Sequence, residues 1–421
     1  MRVFKAFCFG VTCLAALRAA GAEAPLASAK DAVKAASAAV CLSGIEAPGA
    51  LAARLGYASA DQDDRGRIVL SDPARPRLTV SERRRGARLD GYEIVAASAG
   101  AGGPRPLLLI RLGGDCAMQI ARALLYRADG RAEALQTLDA ALEPSGAPEP
   151  LDPQVPPGMD PGGVLVGHID SGVNYLLPEI AARLARRADG SPLGWDFWDD
   201  DPRPFDVNAT ANPFFPLHHG TAVASILLAE APAARLAPYR YPRPDMARMG
   251  AVVEALTAAG AGIVMMPMGS RRQDDWRAFA EAVGRHPEIL FVVSAGNDGR
   301  DIDKAPVYPA ALDLPNLLVV TSADDFGRLA AGSNWGAASV DVMVPGEGIA
   351  VTDHRGAKGR ASGSSFAVPR VAALAARLKA RHPDWRAAQL IEAIAARTAP
   401  PMIRGAPVVR LGWIVNPADD G

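Results

Sequence analysis

From Val164 onward the chain alternates near-continuous apolar runs with helical patterns, and few folds accept that alternation. The runs Val164 to Ile169, Arg235 to Tyr239, Ile263 to Met266, Ile289 to Ser294 and Leu317 to Thr321 lack a regular polar–apolar period. Strands with that texture are covered on both faces. Helical patterns separate them at Thr221 to Leu228, Met246 to Ala259 and Trp276 to Arg285. Two longer ones follow at Ser365 to Arg381 and Trp385 to Arg397. The expectation is an α/β unit over residues 164–421, an open and mostly parallel sheet with helices on both faces. In such sheets ligands bind at the carboxyl ends of the strands.

A chain of 421 residues exceeds one ordinary domain. Pro144 through Gly163 carries seven prolines, which stiffen an extended segment and argue against sheet or helix, so 144–163 reads as a linker. Upstream, residues 25–143 read as a small α+β domain. A Gly- and Pro-free stretch from Ala27 to Leu42 predicts a helix. Strand-like runs follow at Arg67 to Leu70, Tyr92 to Ala97, Leu107 to Leu112 and Cys116 to Tyr126, with turns at Gly113-Gly114-Asp115 and Asp129-Gly130. The spacing gives Ala132 to Leu138 as a further run.

Residues 1–24 read as a signal peptide. Arg2 and Lys5 precede the apolar stretch Ala6 to Leu17, and small-x-small sites follow at Ala20-Gly21-Ala22 and Ala22-Glu23-Ala24. The stretch is short for a membrane anchor, so none is expected after signal removal. Export to a periplasmic or extracellular space leaves Cys41 and Cys116, which form one disulfide or remain two buried thiols. A net charge of −1 offers no footprint for nucleic acid. The basic runs Arg83-Arg84-Arg85 and Arg183 to Arg187 read as solvated surface.

Four segments carry chemistry. Asp170 closes the first strand of the α/β unit in His168-Ile169-Asp170-Ser171-Gly172, where an acid can orient an imidazole, although Asp-Ser-Gly is also an ordinary turn. His219 stands in His218-His219-Gly220-Thr221 at the start of a helix, with His218 as a bystander. Asn297 follows a strand in Gly296-Asn297-Asp298-Gly299, where it is either a turn residue or an amide aimed at a developing oxyanion. Ser365, in Gly363-Ser364-Ser365-Phe366-Ala367-Val368-Pro369, begins a helix whose positive end faces the hydroxyl.

The order Asp, His, Ser and these four blocks together resemble the subtilisin-like serine proteases (subtilases, peptidase family S8). Landmarks between the blocks, including Val307-Tyr308-Pro309-Ala310, Ser333-Asn334-Trp335-Gly336 and Leu411-Gly412-Trp413, are similar too. The resemblance implies a serine endopeptidase acting on peptide or protein substrates through an acyl-enzyme. Ser365 would be the nucleophile, His219 the general base, Asp170 its orienting carboxylate, and Asn297 with the Ser365 N–H the oxyanion hole. It also implies a substrate cleft formed by Met266, Pro267, Met268, Gly269, Ser294, Ala295, Gly296 and Val307.

Three departures qualify this expectation. Ser364 replaces the family's usual threonine. Pro267 removes a backbone N–H from the cleft wall. Val307 stands where many relatives have glycine, which implies a shallower pocket for small or medium apolar side chains. No cluster of oxygen ligands suits a tight calcium site, so no obligatory metal or other cofactor is expected. Asp199-Asp200-Asp201 and Asp298, Asp301 and Asp303 read as solvated loops that bind a cation weakly. The chain is expected to be a monomer. The alternative is an inactive subtilisin-fold protein serving in binding or maturation. The 25–143 domain is either a removable pro-segment or a retained accessory domain.

Overall fold

The computed structural model describes residues 11–98, 103–400 and 408–419, with side chains from residue 25 onward; residues 1–10 of the expected signal lie outside the described residues. The chain divides into two units, Met1–Pro153 with Ala209–Pro216 and Gln154–Asn208 with Leu217–Gly421.

In the first unit eight antiparallel strands pair in chain order. They are β1 (Ser59–Gln62), β2 (Ile68–Ser71), β3 (Arg77–Arg85), β4 (Arg88–Ser98), β5 (Arg105–Gly113), β6 (Met118–Tyr126), β7 (Ala132–Thr137) and β8 (Glu149–Pro150). Helices α1 (Val11–Ser43) and α2 (Pro48–Leu55) accompany them. On α1 the buried residues Ala29, Val33, Ala36 and Val40 recur every three or four positions and make one stripe. They share a core with Leu78, Val80, Ile94 and Ile110. Register places these on one face: Val80 opposes Ile94, which opposes Ile110. A disulfide joins Cys41, near the end of α1, to Cys116 in the β5–β6 turn.

The arginine run 83–85 faces solvent as expected, Arg84 and Arg85 being exposed, but it also ends strand β3. The sequence does not betray that strand because its buried half, Leu78 and Val80, is too short to stand out beside the charges. The proline-rich stretch also contributes to a sheet, since Glu149–Pro150 pairs with β7. Proline is tolerated there because β8 is the terminal strand, with one side free of ladder bonds.

The second unit is built on a parallel eight-stranded sheet in the order β10-β11-β9-β12-β13-β14-β15-β18. Its strands are β9 (Val164–Asp170), β10 (Trp195–Asp196), β11 (Ala234–Arg240), β12 (Ile263–Met266), β13 (Leu290–Ser294), β14 (Leu317–Ala323), β15 (Val342–Pro345) and β18 (Gly412–Trp413). A separate hairpin comprises β16 (Ile349–Thr352) and β17 (Lys358–Ala361). Helices α3 (Pro178–Ala181), α4 (Gly220–Glu230), α5 (Met249–Ala258), α6 (Arg277–Arg285), α7 (Ser364–Arg381) and α8 (Ala387–Ala395) surround the sheet.

Successive strand residues face opposite cores. Val264 and Met266 pack with Val252 and Leu256 of α5, while Ile263 and Met265 pack with Val223 of α4 and Leu374 of α7. The apolar runs are therefore covered on both sides. Chain order reverses around β9, between β11 and β12, which opens a crevice at the end of β9, where Asp170 stands. Arg186 departs from the solvated surface expected of its run. It is buried, and its guanidinium donates to the carbonyls of Pro156 and Gly190.

Candidate active site

Asp170 is buried at the carboxyl end of β9, and His219 is the residue preceding α4. His219 Nδ1 lies 2.9 Å from each Asp170 carboxylate oxygen. An ionised carboxylate only accepts, so Nδ1 carries a proton, and in the neutral imidazole Nε2 is left with its lone pair. Gly220 permits this approach, because a Cβ there would meet the Gly172 carbonyl oxygen at 2.1 Å and the Asp170 Cβ at 3.0 Å. Burial works against ionised Asp170, but His219, the hydrogen bonds from His219 and His168, and the charge of His168 outweigh it and hold the carboxyl well below its usual range. Burial likewise opposes the imidazolium of His219. The Asp170 carboxylate and its hydrogen bond, with Asp206, outweigh that and raise the imidazole above its ordinary value.

Ser365 lies in the first turn of α7, with its hydroxyl donating to the Pro267 carbonyl at 3.3 Å. The ring of the next residue, Phe366, is centred 5.8 Å from the His219 ring, so α7 starts beside the imidazole. Asn297 follows β13. Its Oδ1 accepts from the Ser364 N–H at 2.9 Å and from the Ser364 hydroxyl at 3.0 Å. With Oδ1 occupied, the Nδ2 end of the amide is the one turned to other partners. Gly363 has φ +125° and would place a Cβ 3.1 Å from that Oδ1, so the turn into α7 needs glycine.

Ser365 and Asn297 border one cavity of about 330 Å³, together with Pro267, Met268, Gly269, Ser294, Gly296 and Val307. Met266 and Ala295 do not line it; both are fully buried in the core, because the strand period turns them away from the crevice. Arg271 and Asp298 also line the cavity, joined by an ion pair at 3.3 Å, so its wall is more polar than the substitution at position 307 alone suggests.

Sequence reading missed four contributors. His168, two residues before Asp170, brings Nε2 to 3.3 Å from Asp170 Oδ2. Ser171 donates its N–H to Asp170 Oδ1 at 2.6 Å. Ser364 holds the Asn297 amide. Asp206 is wholly buried next to the helix that carries His219. His168, Ser171 and Ser364 adjoin recognised residues, but Asp206 sits in a loop where only tertiary contact marks it. The acidic clusters are mostly exposed, Asp201 excepted, and carry local partners. Asp199 pairs with Arg240, Asp200 with Arg248, Asp201 with Arg203 and Asp301 with Lys304, while Asp303 accepts backbone N–H bonds from Ala338 and Ser339.

Relatives of known sequence match about half of the chain. The thermophilic serine proteinase of Bacillus sp. (strain AK1) is 30% identical over 230 residues, covering 51% of this chain and 52% of its own length. The chain thus spans about half of that relative. Thermitase of Thermoactinomyces vulgaris is 28% identical over 251 residues, covering 56% of this chain and 81% of its own. Among solved structures, a lanthipeptide protease shares the fold with a TM-score of 0.50 at 20% identity, over 61% of this chain and 86% of that one. The family model for subtilases, Peptidase_S8, matches residues 162–413, a span that contains the whole crevice and every residue on it, and the chain belongs to the subtilase family.

Proposed function

We propose that this chain is an exported serine endopeptidase that hydrolyses peptide bonds through an acyl-enzyme. The observation that carries the proposal is the buried Asp170 carboxylate gripping His219 Nδ1 at 2.9 Å, on the crevice where α7 presents Ser365. In this reading the Ser365 hydroxyl rotates from the Pro267 carbonyl to His219 Nε2 and gives up its proton as Oγ attacks the scissile carbonyl. The imidazolium, stabilised by Asp170, then returns that proton to the leaving amine. Water repeats the sequence in reverse to free the acid product and restore Ser365. Asn297 Nδ2 and the Ser365 N–H receive the negative oxygen of each tetrahedral intermediate.

Export is supported by the Arg2/Lys5 and apolar start and by the Cys41–Cys116 disulfide, which suits an oxidising compartment. Among the described residues no helix is long and apolar enough to cross a membrane. In the same reading residues 1–24 leave as a signal, and 25–143 serve as a pro-segment or accessory domain to a catalytic region over 164–421. The second reading, a non-catalytic binding scaffold, is favoured by one observation: the Ser365 hydroxyl is bonded to a carbonyl rather than to an imidazole.

Wild type and Ser365→Ala, purified side by side, separate the two. A fluorophosphonate probe is expected to label wild type alone. In a peptide library wild type is expected to cleave after small or medium uncharged side chains. Wild type that neither labels nor cleaves would establish the scaffold, and strong preference for Phe, Tyr or a basic residue would overturn the pocket assignment.

A further inference from the structure

His219 occupies the position before the first turn of α4, with φ −143° and ψ −51°. A helix start leaves several backbone N–H groups without intrahelical partners, and the residue at this position usually caps one with a side-chain oxygen. An imidazole committed to Asp170 has no oxygen to offer. Other segments supply the cap. The His219 and Thr221 N–H groups donate to the two oxygens of Asp206 at 3.0 and 2.9 Å, and the Gly220 N–H donates to Ser171 Oγ at 3.1 Å. The Ser171 and Thr221 hydroxyls each donate to Asp206 at 2.6 Å. Thr221 Oγ1 accepts from the Asn174 N–H, which leaves its single proton for Asp206. The Ser171 hydroxyl faces both carboxylates, at 2.6 Å from Asp206 and 3.2 Å from Asp170 Oδ1.

Resting on the proposed function, we infer that Asp206, with Ser171, is a positioning residue for the catalytic base: it caps α4 in place of the His219 side chain, pinning the His219 backbone and freeing its imidazole for proton transfer. Asp206 lies 13 residues before His219 and is fully buried. Ser171 links both ends of the dyad, because its N–H holds Asp170 while its hydroxyl bridges Asp206 and the Gly220 N–H. The intervening chain is closed at its base by reciprocal backbone bonds of 2.9 Å between Asn208 and Leu217, which join the segments that carry Asp206 and His219. An anionic carboxylate also suits the positive end of α4. Burial would push the Asp206 carboxyl up, but His354 and the Ser171 and Thr221 bonds outweigh it and hold it at about 2, so it stays ionised. The other titratable groups facing the pair are His168 on Asp170, His218 on the Asp206 carbonyl, His354 at 3.8 Å from Asp206 Oδ2, and Tyr241, on which both carboxylates act.

The test makes Asp206→Asn and Ser171→Ala in the full chain, each alone and each combined with His219→Ala. It measures kcat and KM on a chromogenic peptide from pH 5 to 10. A misplaced base is expected to lower kcat about tenfold in either single variant, with KM within about twofold. Asp206→Asn is also expected to move the acid limb of kcat/KM down by about half a pH unit, since a negative charge beside the imidazolium is gone. In the His219→Ala background neither change should alter residual turnover more than about twofold, because the effect runs through the missing imidazole. Equal losses in both backgrounds, or an unchanged kcat and pH profile, would overturn the inference. Should Asp206→Asn fail to fold, Ser171→Ala decides, as it leaves the carboxylate in place. Wild type that fails to label refutes the proposed function; wild type that labels while the variants match it refutes only this inference.

Discussion

The two units place polar groups in opposite ways. Among the described residues of the first unit the one buried polar or charged side chain is Gln136, and its core is a helix stripe over one face of an antiparallel sheet. The second unit covers both faces of a parallel sheet and buries His168, Asp170, Ser171, Asp206, Thr221 and Ser364 around its strand ends and helix starts. Burying charge is costly unless it is hydrogen-bonded. Around Asp170 and Asp206 that cost is met where strand termini and helix N-termini leave backbone N–H groups for the two carboxylates to satisfy. The difference teaches that the first unit is organised for packing and cross-linking, and the second for holding a few ionised groups in fixed register.

The contrast can be broken most severely at Asp170. Asp170→Asn is expected to cut kcat roughly 10⁴-fold, as loss of an orienting carboxylate does. The sign of the pH effect follows from the raised His219. The base must be neutral, so wild-type kcat/KM should climb with pH through a midpoint above the ordinary imidazole value of 6.5. Removing the carboxylate lowers that midpoint, and a pH–rate profile reads it; a midpoint that stays or rises refutes the assignment.

The first unit is sharpened through its disulfide. Replacing Cys41 and Cys116 by serine opens a loop with a sequence separation of 75 residues. Chain entropy puts the loss at about 4 kcal/mol, with kcat/KM expected to change less than about twofold. Denaturant unfolding of the first unit measures the loss. A collapse of turnover without loss of stability would contradict the division of labour.

Within the second unit the smaller losses are expected at the amide and its holder. Asn297→Ala should cost roughly 10²- to 10³-fold in kcat, the worth of one oxyanion donor. Ser364→Ala removes one of two bonds to Oδ1 and should cost only about three- to tenfold, because the backbone N–H still holds the amide. Steady-state kinetics compare them, and a Ser364 effect as large as that of Asn297 would mean the hydroxyl does more than orient.

Much of the second unit was legible because its signals are local. Residue-by-residue burial makes the strands between Val164 and Thr321 near-continuous apolar runs, and glycines mark where Asp170, His219 and Ser365 must approach neighbours. Weaker signals failed where charge or proline masked geometry, as in β3 with its terminal arginines and β8 with Pro150. The resemblance assigned Met266 and Ala295 to the cleft, whereas both turn into the core while their neighbours line the cavity.

By itself the amino-acid sequence determined the α/β class, the family, and which acid, imidazole, amide and hydroxyl are candidates for chemistry. These depend on residue types, spacing and order along the chain. Only the tertiary structure decided who satisfies the start of α4, where the Ser365 hydroxyl points and which oxygen of Asn297 is occupied. Those are hydrogen bonds between segments tens of residues apart, and no spacing rule records them because a loop of almost any length can bring a carboxylate to a helix end.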